Sequence, residues 1–327
     1  MHAIRAPRAG GPEVLEYVEL PDPEPGPGQV LVELAAAGVN FIDTYRRSGV
    51  YPVSYPHVLG SEGSGRVIAV GDDVTGVTVG DRVAWSDAPG SYAERVVVRA
   101  DRALAIPPQV ADDVAAAIPL QGLTAHYLVT SSYPVKPGDV VLVHAAAGGV
   151  GLLLTQLAVA RGARVIGTVS TAAKEALARE AGASDIIRYD AITDLTEELP
   201  ALVRELTGGT GVHAVYDGVG KDTFDASLAS LRVRGTMVLF GGASGQVPLF
   251  DLQRLNALGS LTITRPSIGA FTADPAELAW RVGELFDAVV AGTLRVHIGA
   301  TFALDDAGQA HRAVESRATT GKVVLIP

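Results

Sequence analysis

The 327-residue chain contains no cysteine. That absence excludes disulfides, thiolate catalysis and any zinc site with a cysteine ligand. Long apolar runs are missing too: no stretch of about 18 uninterrupted apolar residues occurs, so no transmembrane helix is expected. Basic residues are scarce. Lys and Arg number 26 against 36 Asp and Glu, a formal charge of −10, and the longest basic cluster is the pair Arg46-Arg47. Counterion release needs clustered cations, so neither nucleic acid nor an anionic membrane is an expected partner. The charge mainly favours solubility. The opening "MHAIRAPRAGGPEVLEYVEL" lacks the apolar core of a signal peptide, from which a cytoplasmic location is expected.

What is present is an ample core. The hydrophobic share is 48% and the charged share 19%, and the length points to two domains. The first third carries short Val-rich runs, "QVLVELAAAGV", "GRVIAVG", "GDRVAW" and "SYAERVVVRA", punctuated by Gly, Pro and Asp. These read as an irregular, mostly antiparallel β-domain. From about Ala111 helical composition takes over, with Pro119 as an expected break. Then apolar strands alternate with helical segments: "DVVLVHA", "ARVIGTV", "SDIIRYD", "VHAVYDGV", "TMVLFGG" and "SLTIT", with "KDTFDASLASLRVRG" read as helix before "TMVLFGG". Such alternation specifies a doubly wound parallel sheet with helices on both faces. After Arg265-Pro266 two helical stretches and the run "GKVVLIP" are too short for a third domain and are expected to complete the first.

"HAAAGGVG", His144 to Gly151, lies between an apolar strand and a helix. In that position Gly148, Gly149, Val150 and Gly151 suit a phosphate-cradling turn, where the backbone approaches a pyrophosphate at a helix N-terminus. A plain tight connection would use the same residues, and the α/β context favours the cofactor. The second strand ends "GTVSTAAK", with no acid for a ribose 2′-hydroxyl before Glu175. Ser170 and Lys174 suit a 2′-phosphate instead, hence NADPH. The plainer reading makes Ser170 a helix cap and Lys174 a solvated surface residue.

"GD-VV-L-VHA-AAGGVG-LLLT-Q" (Gly138 to Gln156) resembles the signature of quinone oxidoreductases, the zeta-crystallin-like branch of the medium-chain dehydrogenase/reductase superfamily. Relatives carry a basic residue or Ser three positions after the Gln, where this chain has Val159. Further matches include "GVNFIDTYRRSGVYP", "GSEGSG", "GLTAHYLV", "VYDGVG", "TRPS" and "RATTGKVVLIP", so the resemblance spans nearly the whole chain. It implies an α/β architecture: a GroES-like domain from residues 1–122 and 266–327, and an inserted Rossmann domain at 123–265. It also implies NADPH as cofactor, with Ser170, Lys174 and Tyr189 around the 2′-phosphate and Thr124 beside the nicotinamide. Phe240, Gly241 and Ser244 would follow the fifth strand of the cofactor domain. Gly218 stands where relatives often have Ser, so a side-chain contact is lost there. Arg265 and Arg317 would reach the cofactor from the domain hinge, or serve as structural ion-pair residues.

Zinc-dependent members of the superfamily have a ligand His in a "GHE" triplet, where this chain has "GSE", Gly60 to Glu62. The seven histidines form no H-x₃-H pair, and His126 and His144 read as ordinary helix and strand residues. No metal is expected. An alcohol is hard to oxidise without a Lewis acid, whereas a quinone is already electrophilic and needs mainly proximity, orientation and hydrogen-bond donors. Asn40 and Tyr45 are candidate donors, and Asp43 either orients them or binds a backbone turn. On residue type alone they are equally well turn formers and a core tyrosine; the resemblance places Asn40 and Tyr45 at the nicotinamide. Two other functions compete: reduction of activated carbon–carbon double bonds, and non-enzymatic NADPH binding of a crystallin-like or RNA-binding kind. Finally, "SLTIT" should form the unprotected edge of the sheet, from which a homodimer through Leu261 and Ile263 is expected.

Overall fold

The computed structural model describes all 327 residues. It divides into two compact units, residues 1–123 with 275–327, and residues 124–274. The chain returns to its first unit at Pro275, not directly after Arg265. The short helix Ile268–Phe271 stays with the second unit, where Phe271 stacks on Tyr127 with ring centroids 4.5 Å apart.

The first unit is built on a seven-stranded sheet. Its long strand Gln29–Val39 pairs antiparallel with Glu62–Val70, Arg95–Arg99 and the C-terminal strand Lys322–Ile326. A strand with neighbours on several sides has few exposed positions, which is why "QVLVELAAAGV" reads as a nearly continuous apolar run. Val30, Val32, Leu34, Val67, Trp85, Tyr92, Val323 and Leu325 form its core. Two registers matter for function. Val323 lies opposite Val39 and Glu62 opposite Gly38, so Lys322 and Glu62 both arrive beside Asn40. A parallel partner of the C-terminal strand, Ile298–Ala303, was not foreseen in the sequence.

The second unit is a six-stranded parallel sheet. In spatial order its strands are Asp185–Arg188, Arg164–Val169, Val140–Val143, Val212–Asp217, Leu231–Leu239 and Thr262–Thr264. The order reverses between Val140–Val143 and Val212–Asp217, the switch point at which such sheets bind ligands. "KDTFDASLASLRVRG" is not all helix: the helix stops at Ala229 and Leu231 already pairs with Val212. The β-branched Val233 breaks from the helical pattern. Register again converges residues, because Gly167 lies opposite Val143, Tyr216 opposite Val143 and Val169 opposite Arg188. His144, Thr168, Asp217 and Tyr189 therefore cluster at one end of the sheet.

No helix is long and apolar enough to cross a membrane. Leu142, fully buried between Ile166 and Val215, sits at the centre of the second core. Leu142→Ala should cost about 2–5 kcal/mol of stability, read as a lowered denaturation midpoint of the cofactor unit.

Candidate active site

The glycine-rich turn sits at the switch point. Gly148 is the N-cap of the helix Gly149–Ala160, so Gly149 and Val150 contribute its first N–H groups. A Cβ on Gly151 would lie 2.3 Å from the Ala145 carbonyl oxygen, so no larger residue fits there. Ala145 takes a left-handed conformation with φ 50°, and Ala146 N–H donates to Thr168 O at 3.0 Å. The result is a backbone cradle with a helix N-terminus behind it, which suits a pyrophosphate.

Ser170 and Lys174 lie at the end of the neighbouring strand. Lys174 Nζ is 3.3 Å from Ser170 Oγ. The helix Ala172–Glu180 is capped by Thr171, whose Oγ1 accepts from Lys174 N–H at 3.3 Å. Ser170 is thus released from the capping role, and no carboxylate occupies the strand end. Tyr189 follows strand Asp185–Arg188, half-buried, with its hydroxyl 2.6 Å from both His144 Nδ1 and Thr168 Oγ1.

Below them lies a buried polar network that sequence reading missed. Asp217, fully buried, accepts from Val219 N–H at 2.8 Å, Gly220 N–H at 3.0 Å, Thr223 Oγ1 and Ser227 Oγ at 2.7 Å. Ser227 Oγ is also 3.0 Å from His144 Nε2. Since Ser227 gives its proton to Asp217, His144 donates through Nε2 and accepts through Nδ1. Burial keeps this imidazole neutral by pushing its pKa down, with Asp217 pulling the other way. His144 is the hub of the network, where the sequence suggested an ordinary strand residue.

The loop after the fifth strand of the sheet packs on the same end. A Cβ at Gly218 would lie 2.8 Å from the Phe240 ring, and one at Gly241 2.4 Å from the Gly218 carbonyl oxygen. Gly218 therefore makes room for Phe240. The Ser244 hydroxyl is used internally, donating to Val219 O at 2.9 Å and accepting from Asp222 N–H at 3.0 Å. Arg265 is exposed beyond the edge strand, with two strands between it and Val140–Val143. Thr124 opens the second unit and is buried, whereas Arg317 is an exposed residue of the first unit.

In the first unit, Asn40 is the N-cap of the helix Phe41–Ser48. Its amide is engaged at both ends. Nδ2 donates to Glu62 Oε1 at 2.7 Å and to Gly38 O at 3.4 Å. Oδ1 accepts from Lys322 Nζ at 2.9 Å and from Gln121 Nε2 at 3.3 Å. Asn40 is buried, and both ends of its amide are engaged within the chain. Lys322 also donates to Glu62, a buried ion pair whose second carboxylate oxygen accepts from Leu120 N–H at 2.7 Å. Gln121 Oε1 is buried without a hydrogen-bond partner in the chain.

Asp43 holds Asn40 through the backbone, as the capping-box residue of the helix Phe41–Ser48. Its Oδ2 accepts from Asn40 backbone N–H at 2.9 Å and from Tyr92 Oη at 3.0 Å, and Ser61 Oγ lies 3.3 Å from Oδ1. Burial pushes its carboxyl up to about 6, against the Asn40 N–H, Arg46, Tyr92 and Lys322, which favour the anion. It is a buried positioning group. The Arg46 guanidinium donates to Ser61, the residue in the ligand-His position of the "GSE" triplet. No group of three or more His, Cys, Asp or Glu side chains is arranged to hold a metal. Tyr45 stands apart in an aromatic trio, 5.4 Å from Phe41 and 5.2 Å from Tyr51 by ring centroid.

Glu62, Lys322 and Gln121 were the residues missed here. Only Glu62 carried a signal, as the acid of "GSE"; its partner is 260 positions away.

Comparison with known proteins agrees with this geometry. Residues 26–108 match the alcohol dehydrogenase GroES-like domain and residues 149–284 the zinc-binding dehydrogenase model. The chain is 45% identical to a quinone oxidoreductase of Pseudomonas aeruginosa and to quinone oxidoreductase 1 of Escherichia coli, covering 97% of each chain. It is 42% identical to a 2-haloacrylate reductase of a Burkholderia species, over 98% of this chain and 97% of that one. Among solved structures, a mycobacterial protein complexed with NADPH superposes with a TM-score of 0.97 at 54% identity, over 100% of both chains. The E. coli quinone oxidoreductase complexed with NADPH gives 0.96 at 44%, also over 100% of both. With this coverage at both ends of the chain, the protein belongs to the quinone oxidoreductase family of medium-chain dehydrogenase/reductases.

Proposed function

We propose that this protein reduces quinones with NADPH by direct hydride transfer, without a metal. The observation that carries the reading is the pairing of two sites: a glycine cradle beside an acid-free Ser170/Lys174 strand end, and a "GSE" position occupied by Ser61 and Arg46. Relatives that share both domains are named quinone oxidoreductases and are solved with NADPH. When bound, NADPH supplies the hydride.

The residues do the rest. Gly148, Gly149, Val150 and Gly151 hold the pyrophosphate through backbone N–H groups. Ser170, Lys174 and Tyr189 hold the 2′-phosphate, and Lys174 supplies the opposing charge. Gly218, Phe240 and Gly241 shape the floor beside the cofactor. Ser244 stitches that floor from beneath, and Thr124, Arg265 and Arg317 remain contacts assigned through family resemblance. Asn40 acts through the Glu62–Lys322 pair as a rigid wall, Tyr45 supplies a phenol for a carbonyl oxygen, and Asp43 fixes the helix that carries it. A quinone that accepts hydride becomes a hydroquinone anion, which takes its proton from water.

The 2-haloacrylate reductase similarity supports a second reading, reduction of activated double bonds. Turnover of a benzoquinone beside an enal decides between them. The acidic chain calls for no nucleic-acid partner, and we place the protein in the cytoplasm.

NADPH should bind at least about tenfold more tightly than NADH, or about 1.4 kcal/mol. Lys174→Ala should weaken NADPH selectively; calorimetry showing equal losses for both cofactors would assign Lys174 to the fold alone. Activity should survive exhaustive dialysis against a chelator. Loss of turnover that zinc restores contradicts the metal-free mechanism.

We also propose a homodimer through the edge strand Thr262–Thr264. Leu249 is fully exposed, and Leu252 and Val233 are 70% and 67% exposed near this end of the sheet. Leu261 does not belong to that surface. It is buried in the unit's own core and Ile263 packs partly against that core, so the interface rests on the backbone edge of the strand, the remaining face of Ile263 and the exposed leucines. Sedimentation at micromolar concentration should show a dimer, and Ile263→Pro should shift it towards monomer.

A further inference from the structure

Three polar atoms meet at the end of the cofactor sheet: His144 Nδ1, Thr168 Oγ1 and Tyr189 Oη. Tyr189 Oη is 2.6 Å from each of the other two, and His144 Nδ1 is 3.1 Å from Thr168 Oγ1. The wider network assigns the protons. Asp217 accepts the Ser227 proton, so Ser227 accepts from His144 Nε2–H and leaves Nδ1 as a pure acceptor. Two hydroxyl hydrogens therefore face one nitrogen that needs only one of them. Thr168 Oγ1 is anchored independently, accepting from Ala145 N–H at 3.3 Å in the phosphate turn.

We propose that Thr168 is a specificity-determining positioning residue: it satisfies His144 Nδ1 when the Tyr189 proton turns outward to the cofactor's 2′-phosphate. Without that phosphate, Tyr189 donates to His144 and Thr168 donates to Tyr189. With it, Thr168 takes over His144 and Tyr189 donates to the phosphate oxygen. One O–H rotation at each residue makes the exchange, and no buried acceptor is stranded in either state. NADH has no 2′-phosphate and leaves the first arrangement in place. The coupling rests on the phosphate pocket of Ser170, Lys174 and Tyr189 proposed above.

Thr168 is fully buried, and Thr168→Val keeps its shape while removing the donor. In that variant, NADPH binding strands His144 Nδ1, which should lower NADPH affinity on the order of tenfold. NADH affinity should stay within twofold, and Thr168→Ser should restore the wild-type ratio. Tyr189→Phe should lose the same NADPH preference, and adding Thr168→Val to it should lose nothing further. Calorimetric titration of the full-length protein with each cofactor reads these ratios, with a thermal melt to verify folding. Thr168→Ala serves the same comparison if the valine variant does not fold. An equal loss for NADPH and NADH in Thr168→Val, or no loss, overturns the exchange, as does a Tyr189→Phe protein with an unchanged ratio. Lys174→Ala separates the two levels: a selective NADPH loss there, with a non-selective Thr168 variant, rejects the exchange alone. An unchanged ratio in Lys174→Ala rejects the phosphate pocket and the exchange with it.

Discussion

The buried ion pair of Glu62 and Lys322 closes the first unit, and much around it depends on that contact. Its two ends come from opposite parts of the chain, one on strand Glu62–Val70 and one on the final strand. Both charges are withdrawn from water, an arrangement that is tolerable only where every remaining polar atom finds a partner. Asn40 and Leu120 N–H supply those partners. Removing one member of such a pair typically costs about 3–5 kcal/mol, because the other charge is left buried. Gly38 belongs to the same constraint: a Cβ there would lie 2.2 Å from Glu62 Oε1.

The cofactor unit obeys the same rule with a different terminus. Asp217 collects four donors, and through Ser227 its acceptor capacity orders His144, Thr168 and Tyr189. The hydrogen bonds thus run in one direction, from the glycine-rich turn towards a buried carboxylate. Such preorganisation matters where hydride transfer to an electrophilic acceptor relies on orientation more than on a Lewis acid. Ser61 stands where the "GHE" triplet of zinc-dependent members has its ligand His, and Arg46 donates to it. The same guanidinium favours the anionic form of Asp43.

Some of this was legible in the amino-acid sequence. Alternating apolar strands and helices in the middle of the chain specified the parallel sheet, because each period has one packing solution. The turn "HAAAGGVG" identified the cradle, since only glycine tolerates the approach seen at Gly151. Zero cysteine and a serine in "GSE" showed that cysteine ligands, and a histidine at that position, are missing. Local signals of this kind depend on neighbours in sequence, so they survive without coordinates.

Tertiary structure alone decided which polar side chains are spent. Asn40 looked like a donor, and strand register brought Glu62 and Lys322 to consume its amide. The Ser244 hydroxyl is engaged by loop packing, with Val219 O and Asp222 N–H. Leu261 looked like an exposed edge residue, yet its side chain fills the monomer core. His144 looked structural, and the strand ends around it made it a hub. A side chain's type states what it can donate or accept, whereas its availability depends on partners tens or hundreds of residues away. Those partners are set by register and packing, and no local pattern encodes them.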